Sequence, residues 1–299
     1  MHLKLTAAMQ TDVGRQREQN EDNAFRRIES LEDGDHGLFV VADGMGGYRA
    51  GEVASKLAVD TISSMLDPFF QPIADQPTIR LSVAEPSASA DPNDPDATVK
   101  LSKAGYDPKA THKLAETSSA TIMEEQFRLA IQQANKAILQ YGEKQSSARG
   151  LGCTVTGALV QNEQAYIANV GDSRTYLLRD NQLKPVTRDH SLVARLVEAK
   201  QIEPEDVYTH PQRNLIYRSL GAGHKNVDVD IFQESLRPGD VLLFCCDGLW
   251  EMVHDDDLLK VLSGQESLQQ KCKKLIDMAN ANGGEDNITA IIVQVSASE

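Results

Sequence analysis

Residues 38–47 read Leu-Phe-Val-Val-Ala-Asp-Gly-Met-Gly-Gly. Five apolar residues in a row, several β-branched or aromatic, form a buried strand. The strand ends on Asp43, at the mouth of the core, and the glycines that follow let the backbone turn and approach closely. The same pattern recurs elsewhere. VLLFCC (241–246) runs into Asp247-Gly248, and AYIANV (165–170) runs into Gly171-Asp172-Ser173-Arg174. Gly284-Glu285-Asp286-Asn287 leads directly into ITAIIVQV, and Arg17-Glu18-Gln19-Asn20-Glu21-Asp22 separates two further strand-like stretches.

Outward from these segments, strands are expected at 3–12, 23–29, 37–42, 152–161, 165–170, 174–179, 227–233, 241–246 and 287–295. A helix over Ala50–Leu66 has Val53, Leu57, Ile62 and Leu66 on one side. A second over 119–142 has Met123, Phe127, Ala130, Ile131, Ala134, Ile138 and Tyr141 on one face. Short helices are expected near 255–263 and 267–281, with a polar, helix-containing segment over 188–216. Strands cluster toward both ends of the chain, with helix pairs between and after them. That order does not alternate βαβ, so it predicts two stacked, mainly antiparallel sheets with helices outside. Residues 67–117 hold most of the eleven prolines, among many Ser, Ala and Asp residues, and read as an irregular insertion in one domain spanning 1–299.

Composition narrows the function classes. The 299 residues are 40% hydrophobic, enough for a sizeable core, and the net charge is −14. Nucleic acid and anionic membranes both require basic surfaces, so neither is expected as a partner. Cys153, Cys245, Cys246 and Cys272 form no C-x-x-C pair and are expected as buried free thiols. With no signal-like leader and no membrane-length apolar run, the expected location is the cytoplasm.

One aspartate after a strand is ordinarily a turn residue or helix cap. Five acidic segments that converge would repel one another and require cations. The set is all carboxylate, with no histidine or cysteine at ligand spacing, which favours Mg²⁺ or Mn²⁺ over Zn²⁺. A carboxylate-held metal pair suits phosphoryl hydrolysis. Arg17, four residues before Glu21, offers a planar fork that matches two phosphate oxygens. The histidines, including His190 and His210, are expected to be structural, and Trp250 to pack in the core.

Together, TDVGRQREQNED, VADGMGG, GCTVTGALV, NVGDSR, DHS, HPQRNLIYRSLG, CCDGLWE and EDNIT occur in the order found in type 2C metal-dependent protein phosphatases. The chain resembles the compact bacterial form of that family over 5–66 and 119–295. The resemblance implies an α+β fold, a four-layer αββα sandwich of two mainly antiparallel sheets flanked by helix pairs. It implies hydrolysis of phosphoserine and phosphothreonine in proteins by water activated between two Mn²⁺ or Mg²⁺ ions. Asp43 would bridge the two ions, with Asp247 and Asp286 on the first and the Gly44 carbonyl and Glu21 toward the second. Asp22 would orient metal-bound waters or take part directly as a metal ligand, Asp172 would share a third, weaker ion with Asp247, and Arg17 would hold phosphate. Residues 188–222 would form a flap beside the site. The implied partners are phosphorylated proteins, including a bacterial Ser/Thr kinase, with the enzyme acting as a monomer. Met45 stands where some members carry a histidine proposed as general acid, so the proton for the leaving group must come from elsewhere. A non-catalytic member acting as a binding module would lack one of the metal carboxylates, yet Asp43, Asp247 and Asp286 are all present. A phosphatase of small metabolites is the other alternative.

Overall fold

The computed structural model describes residues 2–32, 34–46, 50–71, 108–145, 150–161 and 163–298, with the backbone alone over 108–119. Strands β1 (Leu3–Asp12), β2 (Asn23–Leu31), β3 (Gly34–Ala42) and the short β4 (Gly44–Met45) lead to helix α1 (Ala50–Leu66) and a turn of 3-10 helix, Asp67–Phe70. Helix α2 (Pro108–Lys144) is followed by β5 (Gly152–Cys153), β6 (Val155–Gln161), β7 (Gln164–Val170), β8 (Arg174–Arg179) and β9 (Gln182–Pro185). Helix α3 (Leu192–Glu198) and a second 3-10 turn, Pro204–Tyr208, precede β10 (Leu220–Gly221), β11 (Asp230–Ser235) and β12 (Val241–Cys245). Helices α4 (Asp247–Trp250), α5 (Asp255–Leu262) and α6 (Leu268–Ala281) lead to β13 (Ile288–Ala297).

Two five-stranded antiparallel sheets carry the fold, in the orders β1-β13-β12-β8-β9 and β11-β7-β6-β3-β2, with a small β10-β5-β4 sheet beside them. Side chains on a strand alternate between faces, and here both faces are covered. On β3, Phe39 and Val41 point between the sheets, and on β12 Leu242 and Phe244 meet them. The Phe39 and Phe244 rings stack with centroids 5.9 Å apart. Leu38, Val40 and Ala42 of β3 face outward onto α1 and α2, against Ala54, Ile62, Phe127 and Ile131. On the other side, Leu243 of β12 and Ile292 of β13 pack under α5 and α6 with Leu258, Leu275 and Ile276. Each fully buried side chain of this size contributes about 1.5–3 kcal/mol. The result is the αββα sandwich, and burial on both faces is why these strands read as unbroken apolar runs. Among the described residues, no helix is long and apolar enough to cross a membrane.

The structure moves the boundaries of the Pro-rich stretch. Phe69 and Phe70 are buried in the core beneath α1, so residues 67–71 belong to the scaffold. Arg27 holds this turn, pairing with Asp67 at 2.5 Å and stacking over the Phe70 ring at 4.8 Å. His36, expected in a loop, is a buried residue of β3 whose Nδ1 lies 3.0 Å from the Phe69 carbonyl oxygen. Helix α2 starts at Pro108 rather than near 119, because proline is well tolerated at the first helical position, where its missing N–H has no partner to lose. The remainder of the stretch, 72–107, lies outside the described residues. Replacing 72–107 by a flexible linker is expected to preserve cooperative unfolding, since closure entropy varies slowly with loop length. Phe69→Ala is expected to lower stability by about 3–5 kcal/mol, read from the urea midpoint. A deletion variant without a cooperative transition would place 72–107 in the core.

Candidate active site

The ends of strands from both sheets meet at one cleft of about 620 Å³. Asp43 follows β3, and the Thr154 N–H holds its carbonyl at 2.9 Å. Asp172 lies in the turn from β7 to β8. Asp247 opens α4 directly after β12, and Asp286 precedes β13. The loop between β1 and β2 adds Arg17 and Glu21. All of these, with Gly44, line the cleft. Asp22 does not line it. Asp22 is buried below, where the Thr289 hydroxyl donates to its Oδ2 at 2.6 Å.

Gly44 is required by space. A Cβ there would lie 2.3 Å from the Glu21 carbonyl oxygen and 2.4 Å from that of Gly51. The absent side chain therefore lets the Glu21 loop approach β4. Gly248 does the same for α4, since a Cβ would come within 2.1 Å of the Asn287 carbonyl oxygen. Asn287 ties these parts together. Its side chain accepts from the Glu21 N–H at 2.8 Å and donates to the carbonyls of Val13 and Gln19, each at 2.9 Å. Asn287 stands beside Asp286 in the sequence, but nothing in its spacing foresaw this bridge. It also missed Thr154, Asn214 and Ile216, which complete the lining and carry no motif chemistry of their own.

The electrostatics are those of crowded, desolvated carboxylates. Burial pushes Asp43 well above the usual carboxylate range, reinforced by Asp247, Asp22, Asp172 and Asp286. Asp247 is raised in the same way by burial, then by Asp172, Asp286 and Glu251. Burial lifts Asp22 to about 7 against the opposing bonds from Thr289 and Cys246, and lifts Asp172 to about 7 with help from Asp189. Glu21 is also raised, chiefly by burial, with Arg17 opposing. Asp22 Oδ1 and Asp247 Oδ1 are buried without a hydrogen-bond partner. Orphaned buried carboxylate oxygens are costly, and a cation is the ligand that would satisfy them. Among the described residues, no three acidic, histidine or cysteine side chains form a ready-made cage.

A supporting layer surrounds the carboxylates. Arg174 grips Asp189 through Nε and Nη2, at 3.0 and 2.7 Å, and lies 3.5 Å above the buried Trp250 ring. The Trp250 indole N–H in turn donates to the Asp172 carbonyl at 2.9 Å. His190 is structural: its Nδ1 accepts from the Gly171 N–H at 3.0 Å and its Nε2 faces Asp230 at 3.2 Å. In the segment 188–222, Arg213 pairs with Glu251 at 3.2 Å and Glu285 at 2.9 Å, holding Asn214 and Ile216 at the cleft.

An αββα sandwich with an acidic cleft at the strand ends is the architecture of a metal-dependent phosphatase. Comparison with known proteins agrees. A family described as Protein phosphatase 2C matches residues 96–210. The serine/threonine phosphatase stp of Listeria welshimeri is 36% identical over 96% of this chain and 95% of its own. The crystal structure of the Mycobacterium tuberculosis serine/threonine phosphatase PstP superposes with a TM-score of 0.73 at 30% identity, covering 98% of this chain and 99% of that one. A PstP catalytic domain in complex with two manganese ions gives 0.71 at 28% identity, covering 99% and 100%. The chain belongs to the protein phosphatase 2C family of bacterial serine/threonine phosphatases.

Proposed function

We propose that the cleft removes phosphate from phosphoserine and phosphothreonine in proteins, using two divalent cations held by Asp43, Asp247, Asp286, Glu21 and the Gly44 carbonyl. The observation that carries this reading is the convergence of carboxylates from five separate segments, two of them with orphaned buried oxygens, beside Arg17. Asp43 would be shared between the ions, with Asp247 and Asp286 holding one and Glu21 and the Gly44 carbonyl the other. Asp172 and Asp247 together would hold a third, weaker ion. The all-oxygen donor set fits Mg²⁺ or Mn²⁺, and the related PstP complex with two manganese ions supports Mn²⁺. When bound, such ions supply an acidified water and positive charge against the phosphoryl group.

The chain's own residues orient the substrate. Arg17 is half exposed and touches Asp286 Oδ2 at 2.5 Å, leaving the rest of its fork to phosphate oxygens. Asp22, buried below the cleft and bonded to Thr289, anchors the end of the Glu21 loop. Met45 lines the cleft and has no proton to give, so the leaving alkoxide takes its proton from water or from another group. The substrates include a bacterial Ser/Thr kinase. Four unpaired, buried cysteines support a reducing cytoplasm as the place of action.

The test is hydrolysis of phosphothreonine, phosphoserine and phosphotyrosine peptides with Mn²⁺, with Mg²⁺ and after exhaustive chelation. Activity on the first two that disappears on chelation is expected; full activity after chelation would refute the metal site. Arg17→Ala is expected to raise KM by about tenfold or more, the loss of one charge-assisted contact, while Mn²⁺ binding persists.

A further inference from the structure

Between β7 and β8 the chain crosses from one large sheet to the other through Gly171-Asp172-Ser173. Beside this crossing the space between the sheets is polar. Thr154 Oγ1 lies 2.6 Å from Ser173 Oγ, and Thr156 Oγ1 lies 2.7 Å from Thr175 Oγ1. All four residues are at most 1% exposed. Two residues further along the same strands, Ala158 and Leu177 return the space to apolar packing. Stability alone gives no reason for such a ladder, because replacing both partners of a buried hydrogen bond by apolar groups of the same shape is nearly neutral. The first rung differs from the second in what it holds. Thr154 lines the cleft, and its N–H donates to the Asp43 carbonyl. Its predecessor Cys153 pairs with Gly44. Its side chain occupies the space that a Cβ on Gly171 would need, 2.5 Å from the Thr154 Cβ. Ser173 directly follows Asp172, whereas Thr156 and Thr175 do not line the cleft. One bond thus joins the residue that seats Asp43 on one sheet to the neighbour of Asp172 at the edge of the other.

We propose that Thr154 and Ser173 are positioning residues: their hydroxyl bond fixes Asp172 relative to Asp43 and so sets how tightly the cleft holds divalent cations. The proposal rests on the cleft being the cation site of the reading above. Asp43 and Asp172 repel each other when ionised. Carboxylates from two sheets can share cations only if the sheets stand at one spacing. Apolar side chains between sheets can slide, whereas an O–H···O bond tolerates only about 2.5–3.0 Å between its oxygens. On its other side Asp172 is tied through its carbonyl to the Trp250 indole of α4, beside Asp247. The Thr154–Ser173 bond is the tie toward Asp43. Without it the turn that carries Asp172 can settle away from Asp43 under their repulsion. Groups that orient metal ligands without touching the ion are worth about tenfold in metal affinity.

The test titrates the full chain with Mn²⁺ by calorimetry and follows its urea midpoint in chelator. Thr154→Val keeps the branched shape and the N–H to Asp43 but deletes the hydroxyl. It should weaken Mn²⁺ binding about tenfold and lower the midpoint, because the buried Ser173 hydroxyl is orphaned. Thr154→Ser should restore the affinity. Thr156→Val, which orphans Thr175 in the second rung, should lower the midpoint and leave the affinity at the wild-type value. Thr154→Val combined with Ser173→Ala removes the orphan, so the midpoint should recover while Mn²⁺ binding stays weak. Unchanged affinity in Thr154→Val, an equal loss in Thr156→Val, or an affinity that recovers with the midpoint in the double variant would each overturn the proposal. Should Thr154→Val not fold, the double variant, free of the orphaned group, carries the same comparison. A wild-type chain that takes up no Mn²⁺ overturns the reading of the cleft, and the proposal with it.

Discussion

Asp247→Asn is expected to yield a folded protein whose turnover on a phosphothreonine peptide falls on the order of a thousandfold or more. Asparagine keeps the size of the side chain at the start of α4 and removes its charge. Asp247 is partly buried, with its Oδ1 buried and unpartnered, and Asp172, Asp286 and Glu251 all repel its ionised form. Losing that charge weakens cation binding, and with it the chemistry the ions supply. The same change relieves repulsion in the metal-free protein. The variant should therefore melt higher than wild type in chelator and gain less than wild type when Mn²⁺ is added. A folded variant with near wild-type turnover would remove Asp247 from the site.

The second large effect is a stability that depends oppositely on pH and on cations. Asp22 and Asp172 are raised to about 7, and Asp43 and Asp247 are raised well above their ordinary range. In the unfolded chain these groups titrate near pH 4. Between that value and their folded values the native state binds more protons than the unfolded state, so stability falls as pH rises. The stabilising contribution is complete below about pH 4. It declines through pH 7 as Asp22 and Asp172 ionise, and the ionisation of Asp43 and Asp247, also raised, adds to the decline. A divalent cation takes the place of those protons. In chelator, the urea midpoint should be lower at pH 8 than at pH 5.5, and Mn²⁺ should close most of that gap. Asp247→Asn should show a shallower decline, which separates the cleft from other titrating groups such as His190. A chelated midpoint that rises from pH 5.5 to 8 would contradict the assignment.

Most of the scaffold could be read from residue patterns because burial on two faces leaves a plain trace. Runs such as LFVVA and VLLFCC have no room for polar residues, and the helical spacing from Met123 to Tyr141 has a single apolar face. Strands β4 and β10 were not foreseen, since two residues are too few to display a period, and β5 was expected only as the start of one strand over 152–161 that the structure breaks at Thr154. Phe69 and Phe70 were assigned to the insertion because their prolines and polar neighbours outweighed them in composition, while the structure buries both rings. Within the site, Asp43, Asp172, Asp247 and Asp286 were visible as acids at strand ends. Depth was not visible: Glu21 and Asp22 are adjacent in the chain, yet one lines the cleft and the other lies beneath it. The Asn287 bridge was hidden for another reason. An amide's partners are backbone groups on segments up to 274 residues away, and backbone groups leave no mark in a sequence.

Strand β1 has only β13 as its partner in the sheet, with Leu3 opposite Ala297 and Asp12 opposite Ile288. Of the described strands, the earliest in the chain thus waits for the latest. Arg17, Glu21 and Asp22 follow β1, while Asp286 and Asn287 immediately precede β13, so two parts of the cleft are made more than two hundred and fifty residues apart. A nascent or prematurely terminated chain contains Asp43, Asp172 and Asp247 but cannot assemble them with Asp286 or lock the Glu21 loop through Asn287. Phosphatase activity should appear only once β13 has been made and paired with β1, as a late and all-or-none event.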